Sequence, residues 1–240
     1  MRAATGVLGA VLALLAGCAP STLSPMAVRL VPGNPGQVTA RAGVRTGPRL
    51  SVPLQDPEHF QGNRAPFSTP QWAVAYDGDM LVPLGGGTGL HVGLQGEVGC
   101  DEVEATCPVP VPGYGLSLGL SQYLQLGDVS LAPAVVLRGA TDFGFGAKGG
   151  PSSILGVEAS ASLALRMEGT VVGVVPFLGV HRLILTEQRT ASATYGGVAL
   201  AGQFDLGGGE FLELTAGTGL VRMRGVEDWW VPIFGMRGSP

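Results

Sequence analysis

Charge is scarce in this chain. Only 13% of its 240 residues are Asp, Glu, Lys or Arg, about half the 25% or so of an ordinary soluble domain. Aromatic residues are few as well, at 6%. Beyond the first twenty residues no apolar run reaches the roughly 20 residues that a membrane-crossing helix needs. No basic run occurs and the formal net charge is −4, which argues against nucleic acid as a partner. Cysteines number three and histidines three, nowhere clustered, which makes a poor zinc site. No metal or cofactor is expected.

What is present is apolar character in an alternating pattern. Mean hydropathy is +0.34, and 40 residues are glycine, which disfavours helices. The clearest stretch is Tyr114 to Leu126. There Leu116, Leu118, Leu120, Leu124 and Leu126 alternate with Gly115, Ser117, Gly119, Ser121, Tyr123 and Gln125. A strand sends successive side chains to opposite faces, so this segment has one apolar face and one small or polar face. It exceeds the roughly 9–11 residues with which a tilted strand crosses a bilayer.

The chain opens on a targeting segment. Arg2 precedes an apolar run from Ala3 to Leu15, followed by Leu15-Ala16-Gly17-Cys18. This sequence resembles a bacterial lipobox. The resemblance implies cleavage before Cys18 and lipidation of its thiol. The plainer reading is an ordinary signal peptide with a chance cysteine. Ala19 stands where enteric lipoproteins carry a retention aspartate, so no inner-membrane retention is implied. Residues 1–17 are thus expected to be a signal peptide and 18–35, rich in proline, serine and glycine, a lipidated tether. Residues 36–240 form the remaining domain.

In that domain the alternation marks ten strands, near 37–45, 71–82, 88–99, 114–126, 129–139, 153–167, 171–185, 194–206, 210–223 and, more weakly, 229–237. The strand at 171–185 is apolar on both faces, so its orientation stays open. Short connections at 83–87, 127–128, 168–170 and 207–209 alternate with long ones at 46–70, 99–112, 140–152 and 186–193. This architecture is similar to small bacterial outer-membrane β-barrels, with short periplasmic turns, long outer loops and an even strand count. The implied fold class is all-β, an antiparallel up-and-down transmembrane barrel. Ten strands place both chain ends on the short-turn side, where a lipid anchor belongs. Eight strands starting at Trp72 is the other count. The chain departs from such barrels in ending Gly238-Ser239-Pro240 rather than on an aromatic residue.

The polar faces carry Arg41, Arg45, Asp77, Asp79, His91, Glu97, Arg138, Glu158, Arg166, Asp205 and Glu213. Inside a barrel these should form a lumen network of paired charges, since an unpaired buried charge is costly. For any one of them the plainer reading is a solvated strand end. A turn centred near Gly85 puts Asp79 opposite His91, a component of hydrolytic sites. The plainer reading is an interior hydrogen-bonded pair, and no serine nucleophile can be placed beside it. His59 and His181 have no evident partners. Cys100 and Cys107 flank the acidic Asp101, Glu102 and Glu104. In an oxidising compartment a disulfide is the default, with free thiols or a metal site as alternatives.

The functional reading is a non-enzymatic, lipid-anchored outer-membrane barrel with a structural, adhesive or recognition role through outward loops. Its partners would be outer-membrane lipid and an extracellular ligand or envelope protein. The alternatives are a narrow passive channel, an outer-membrane hydrolase and a soluble lipocalin-like lipoprotein. If the lipobox reading is correct, cells fed a fatty-acid analogue will label the parent protein and leave Cys18→Ala unlabelled. Equal labelling would remove the anchor.

Overall fold

In a computed structural model, the chain forms a closed antiparallel sheet. The structure describes residues 30, 37–49, 71–101, 106–141, 153–186, 189–223 and 228–239. The strands are β1 (Thr39–Arg49), β2 (Gln71–Gly85), β3 (Thr88–Asp101), β4 (Thr106–Gln122), β5 (Leu124–Leu126), β6 (Val129–Thr141), β7 (Ser153–Met167), β8 (Thr170–Thr186), β9 (Arg189–Gly207), β10 (Glu210–Met223) and β11 (Trp229–Gly238). β5 continues β4 past a break at Tyr123, and both pair with β6, so the wall has ten staves. Each strand pairs with its sequence neighbour, and β1 also pairs with β11, which closes the barrel. The ten expected strands are all present, and those at 153–167 and 210–223 have the expected limits.

Alternation sets the two faces. Leu94, Leu116, Leu118, Leu120, Leu137, Leu163, Leu178 and Leu200 are exposed on the outside, while the residues between them face the lumen. A core turned outward in this way cannot be stable in water, and it matches a hydrocarbon surround. β8, whose orientation its sequence leaves open, sends Val172, Val174, Leu178 and Val180 outward and Val171, Val175, Phe177 and His181 inward. The outward side chains of β7 to β11 and β1 line an apolar depression of about 980 Å³, walled by Leu163, Leu200, Leu214 and Phe234. Trp230 is 71% exposed near the long-loop end of β11, a position suited to a membrane interface.

The short connections are turns whose glycines take positive φ, as at Gly127 (φ 64) and Gly169 (φ 67). On the other side three expected loops shrink. β1 runs on to Arg49, and β3 and β4 reach Asp101 and Thr106, so residues 99–112 are mostly strand. These stretches contain prolines, Pro48 in β1 and Pro108, Pro110 and Pro112 in β4. They are tolerated because, among the described residues, the extensions are paired on one side only. β4 meets β6 from Tyr114 onward, whereas among the described residues Pro110 pairs with Val98 of β3 alone. Likewise Pro48 pairs with Trp72 beyond the last β1–β11 pair at Thr46. An edge needs no second N–H, and that is where proline is allowed. The expected loop at 186–193 is instead the end of the β8–β9 hairpin, which pairs as far as Thr186↔Arg189.

The signal peptide, Cys18 and His59 lie outside the described residues, as do the side chains of Cys100 and Cys107. Of the tether only Leu30 is described. It is buried inside the short-turn mouth against Ala164, Val171, Val175 and Ala201.

The face assignment predicts a sharp contrast between adjacent residues. Leu118 is half-exposed on the outside and Ser117 points inward. Leu118→Arg should destabilise the barrel by about 2–4 kcal/mol near a bilayer midplane, and Ser117→Arg by less. Urea titration of both variants refolded into lipid vesicles measures this, and equal losses would overturn the assignment.

Candidate functional site in the barrel lumen

The lumen is lined by buried charged side chains. On its short-turn half, Arg41 of β1 donates through Nε to Asp79 of β2, its partner in the ladder register. Its Nη1 donates to Glu213 of β10 at 2.9 Å. Arg45 donates through Nε to Asp77 at 3.2 Å. Arg237 of β11 lies 2.9 Å from Asp77 and 3.7 Å from Glu213. Three guanidiniums thus meet three carboxylates. All six side chains are less than a tenth exposed.

Local sequence makes this geometry available. Gly43 is the register partner of both Arg237 and Asp77, so it stands between them. A Cβ there would lie 2.7 Å from Arg237 Cα and 2.7 Å from its Cγ. The missing side chain is what lets Arg237 reach over β1 to Asp77.

A string of polar contacts continues toward the short-turn mouth. Asp79 Oδ2 faces His91 Nδ1 at 3.8 Å. His91 Nε2 is 2.8 Å from Ser121 Oγ. The expected pairing of Asp79 with His91 is thereby corrected. The β2–β3 register is Asp79↔Gly93 and Leu81↔His91, because the turn centres on residue 86 rather than 85. A two-residue slip keeps both side chains inside, so they still meet diagonally.

The long-loop half holds Gln95, Glu97, Arg138, Glu158, His181 and Tyr195, all buried. Arg138 lies in the field of Glu97 and Glu158, and Arg45 feels Glu158 from the opposite wall. The His181 ring lies over two glycines. A Cβ at Gly156 would fall 2.2 Å from Nδ1, and one at Gly179 would fall 3.0 Å from Nε2. Phe177 and Tyr195 stack with ring centroids 5.0 Å apart.

Nine of the eleven expected network residues lie in this lumen: Arg41, Arg45, Asp77, Asp79, His91, Glu97, Arg138, Glu158 and Glu213. Arg166 and Asp205 do not. Both are exposed at the short-turn ends of β7 and β9. There their backbones bridge neighbouring turns, Arg166 N–H to Asp128 O and Asp205 N–H to Gly169 O. Asp205 Oδ1 accepts from Gly207 N–H at 2.8 Å. Arg166 lies one residue past the last β6–β7 pair at Leu165 and Asp205 one past the last β8–β9 pair at Phe204, so each is walled on one side only, by Val171 and Phe211, and its side chain reaches water at the rim.

Arg237 was missed because the final strand is short and weakly patterned. Its place after outward Phe234 and Met236 was the available signal. Ser121 was missed because only the three-dimensional register of β3 and β4 brings it to His91. Outside the lumen, Arg222 grips Asp228 by three contacts of 2.6–3.1 Å at the long-loop rim. Those hydrogen bonds hold the Asp228 carboxyl below its usual range. Among the described residues no group of three or more metal-ligating side chains occurs.

No protein-family model and no curated protein matches the chain. Among solved structures, it is similar to an outer membrane channel from Pseudomonas putida F1, at 12% identity and TM-score 0.40, covering 90% of this chain and 98% of that one. It is similar also to the beta domain of the Bordetella autotransporter BrkA, at 11% identity and TM-score 0.37, covering 85% and 99%. A third is outer membrane phospholipase A from Escherichia coli, at 12% identity and TM-score 0.33, covering 89% and 99%. At these identities and TM-scores nothing is carried from those proteins to this chain.

The lumen geometry predicts unequal costs for losing a charge. Glu213→Gln leaves three guanidiniums facing two carboxylates, and removing one partner of a buried pair costs about 3–5 kcal/mol. Arg222→Gln breaks a solvent-exposed pair and should leave stability unchanged within error. Unfolding midpoints in vesicles compare the two, and equal effects would show that the lumen charges are solvated.

Proposed function

We propose that this chain is an outer-membrane β-barrel whose lumen is closed, and that it serves a structural, adhesive or recognition role through its long-loop side. The observation that carries this reading is the cluster of buried ion pairs across the bore. Arg41, Asp79, Glu213, Arg237, Asp77 and Arg45 pair across the short-turn half, and Leu30 packs against the β7–β9 wall of the mouth. A ten-stranded barrel has a narrow interior to begin with, and an ion passing through would have to break buried pairs.

The apolar outer belt supports bilayer residence. Both barrel ends, Thr39 and Gly238, lie on the short-turn side, consistent with a tether anchored at Cys18 in the inner leaflet. The long-loop side would then face outward. There Cys100 and Cys107 sit in strand ends between the register pairs Gly99↔Val109 and Asp101↔Thr106. We propose that they form a disulfide clamping these ends. Alkylation without reductant should find neither thiol free, and full modification of both in the folded protein would rule out the bridge.

Planar-bilayer recording tests closure. The folded protein should give no discrete conductance steps. Regular single-channel steps from folded, heat-modifiable protein would replace this reading with a passive channel.

A further inference from the structure

We propose that Ser121, His91 and Asp79 form an acyl-transfer site at the short-turn mouth, with Ser121 as a nucleophile toward small esters entering from that side. Ser121 Oγ is 2.8 Å from His91 Nε2, the distance at which an imidazole takes a hydroxyl proton. On the other side of the ring, Nδ1 faces Asp79 Oδ2 at 3.8 Å. That is long for a hydrogen bond, but such contacts commonly tighten when substrate binds. Arg41 holds Oδ1 of the same carboxylate, and Oδ2 is the oxygen on the His91 side. The order nucleophile, base and orienting carboxylate is that of a hydrolytic triad, recognised by geometry rather than by sequence position.

Burial separates this arrangement from a simple interior network. His91 and Asp79 are buried, whereas Ser121, nearest the mouth, is only partly buried. A reagent can therefore meet the nucleophile while the base is shielded from bulk water. Ser121 pairs with Gly89 and Ala134, the former beside the β2–β3 turn. Gly89 carries no side chain, and the space a Cβ there would take is filled first by the Leu81 side chain and then bounded by Ser121 Oγ at 3.3 Å. Leu81, opposite His91, walls the site from within, which restricts it to small acyl groups.

In the reaction, Oγ attacks the ester carbonyl carbon and its proton passes to His91 Nε2. The carbon–oxygen bond to the leaving group breaks, and the alkoxide departs with that proton. Water, deprotonated by the same nitrogen, then cleaves the acyl-serine to release the acid and restore Ser121. Ser121 and His91 are catalytic residues and Asp79 is a positioning residue. The backbone of Ser121 is engaged in ladders with β3 and β6, so it offers no N–H to a developing oxyanion. Deacylation should be slow, and acylation of Ser121 is the sensitive readout.

The test uses the full chain refolded in detergent, with a small fluorophosphonate probe and 4-nitrophenyl acetate. The folded parent should bind the probe with one-to-one stoichiometry, placed on Ser121 by mass spectrometry, and should show a burst of 4-nitrophenolate. Ser121→Ala should abolish both, and His91→Gln should slow labelling at least tenfold. Both variants should keep the heat-modifiable gel shift of a folded barrel. Asp79→Asn, or Asp79→Glu where the pair with Arg41 must be retained for folding, should move the pH profile of labelling. An unlabelled folded parent, or equal labelling of Ser121→Ala, would overturn the proposal. An unchanged pH profile in a folded Asp79 variant would remove the positioning role.

Discussion

The ladder between β1 and β11 is the constraint on which the structure depends. It has five register pairs, from Ala42↔Gly238 to Thr46↔Phe234, against eleven between β1 and β2. Were it open, two strands would present unpaired N–H and C=O groups to an apolar surround, at several kcal/mol per group. The charged side chains are placed where they reinforce this short seam. Arg237 reaches from β11 over β1 to Asp77 on β2, and Arg41 reaches from β1 over β11 to Glu213 on β10. Each contact ties strands two places apart. Gly43 is the point at which the first crosses the wall without obstruction.

A buried ion cluster is poor evidence of net stability, because desolvation offsets much of the attraction. What it supplies here is register. Shifting β1 by one residue would turn Arg41 and Arg45 toward the apolar outside and bring Ala42 and Val44 into the lumen. A slip of that kind is penalised twice, by charge in hydrocarbon and by unpaired carboxylates inside. The turns set neighbouring registers locally. The β1–β11 ladder has no turn to set its register, and this is where the paired charges concentrate.

Much of this was legible in the sequence because a two-sided wall writes itself in period two. Leu116, Leu118 and Leu120 face outward, and Arg41, Asp79, Glu97 and Glu213 face inward, as alternation alone requires. The loop expected at 99–112 is mostly strand, and whether a strand can admit Pro108, Pro110 and Pro112 depends on whether a second strand lies alongside, which no local pattern records. β8 defeated face assignment because Val171, Val175 and Phe177 face the lumen as apolar residues. They pack on Leu30 and Tyr195, and the lumen on that wall is hydrophobic. Alternation distinguishes the faces only where the interior is polar.

The same limit explains which part of the candidate site was hidden. Asp79 and His91 lie on adjacent strands joined by a short turn, so their proximity follows from local pairing even with the turn centre misplaced by one. Ser121 reaches His91 through the β3–β4 register, in which Gly89↔Ser121 and His91↔Gly119 are partners. That register is set across a long-loop connection and shifts at two bulges, between Gln95 and Glu97 and between Gly99 and Asp101. Each bulge moves the partner strand along the ladder. Without them His91 would face a different rung of β4. The hydroxyl at its Nε2 is therefore a consequence of irregularities near the far end of the hairpin, where proline and cysteine interrupt the alternating pattern.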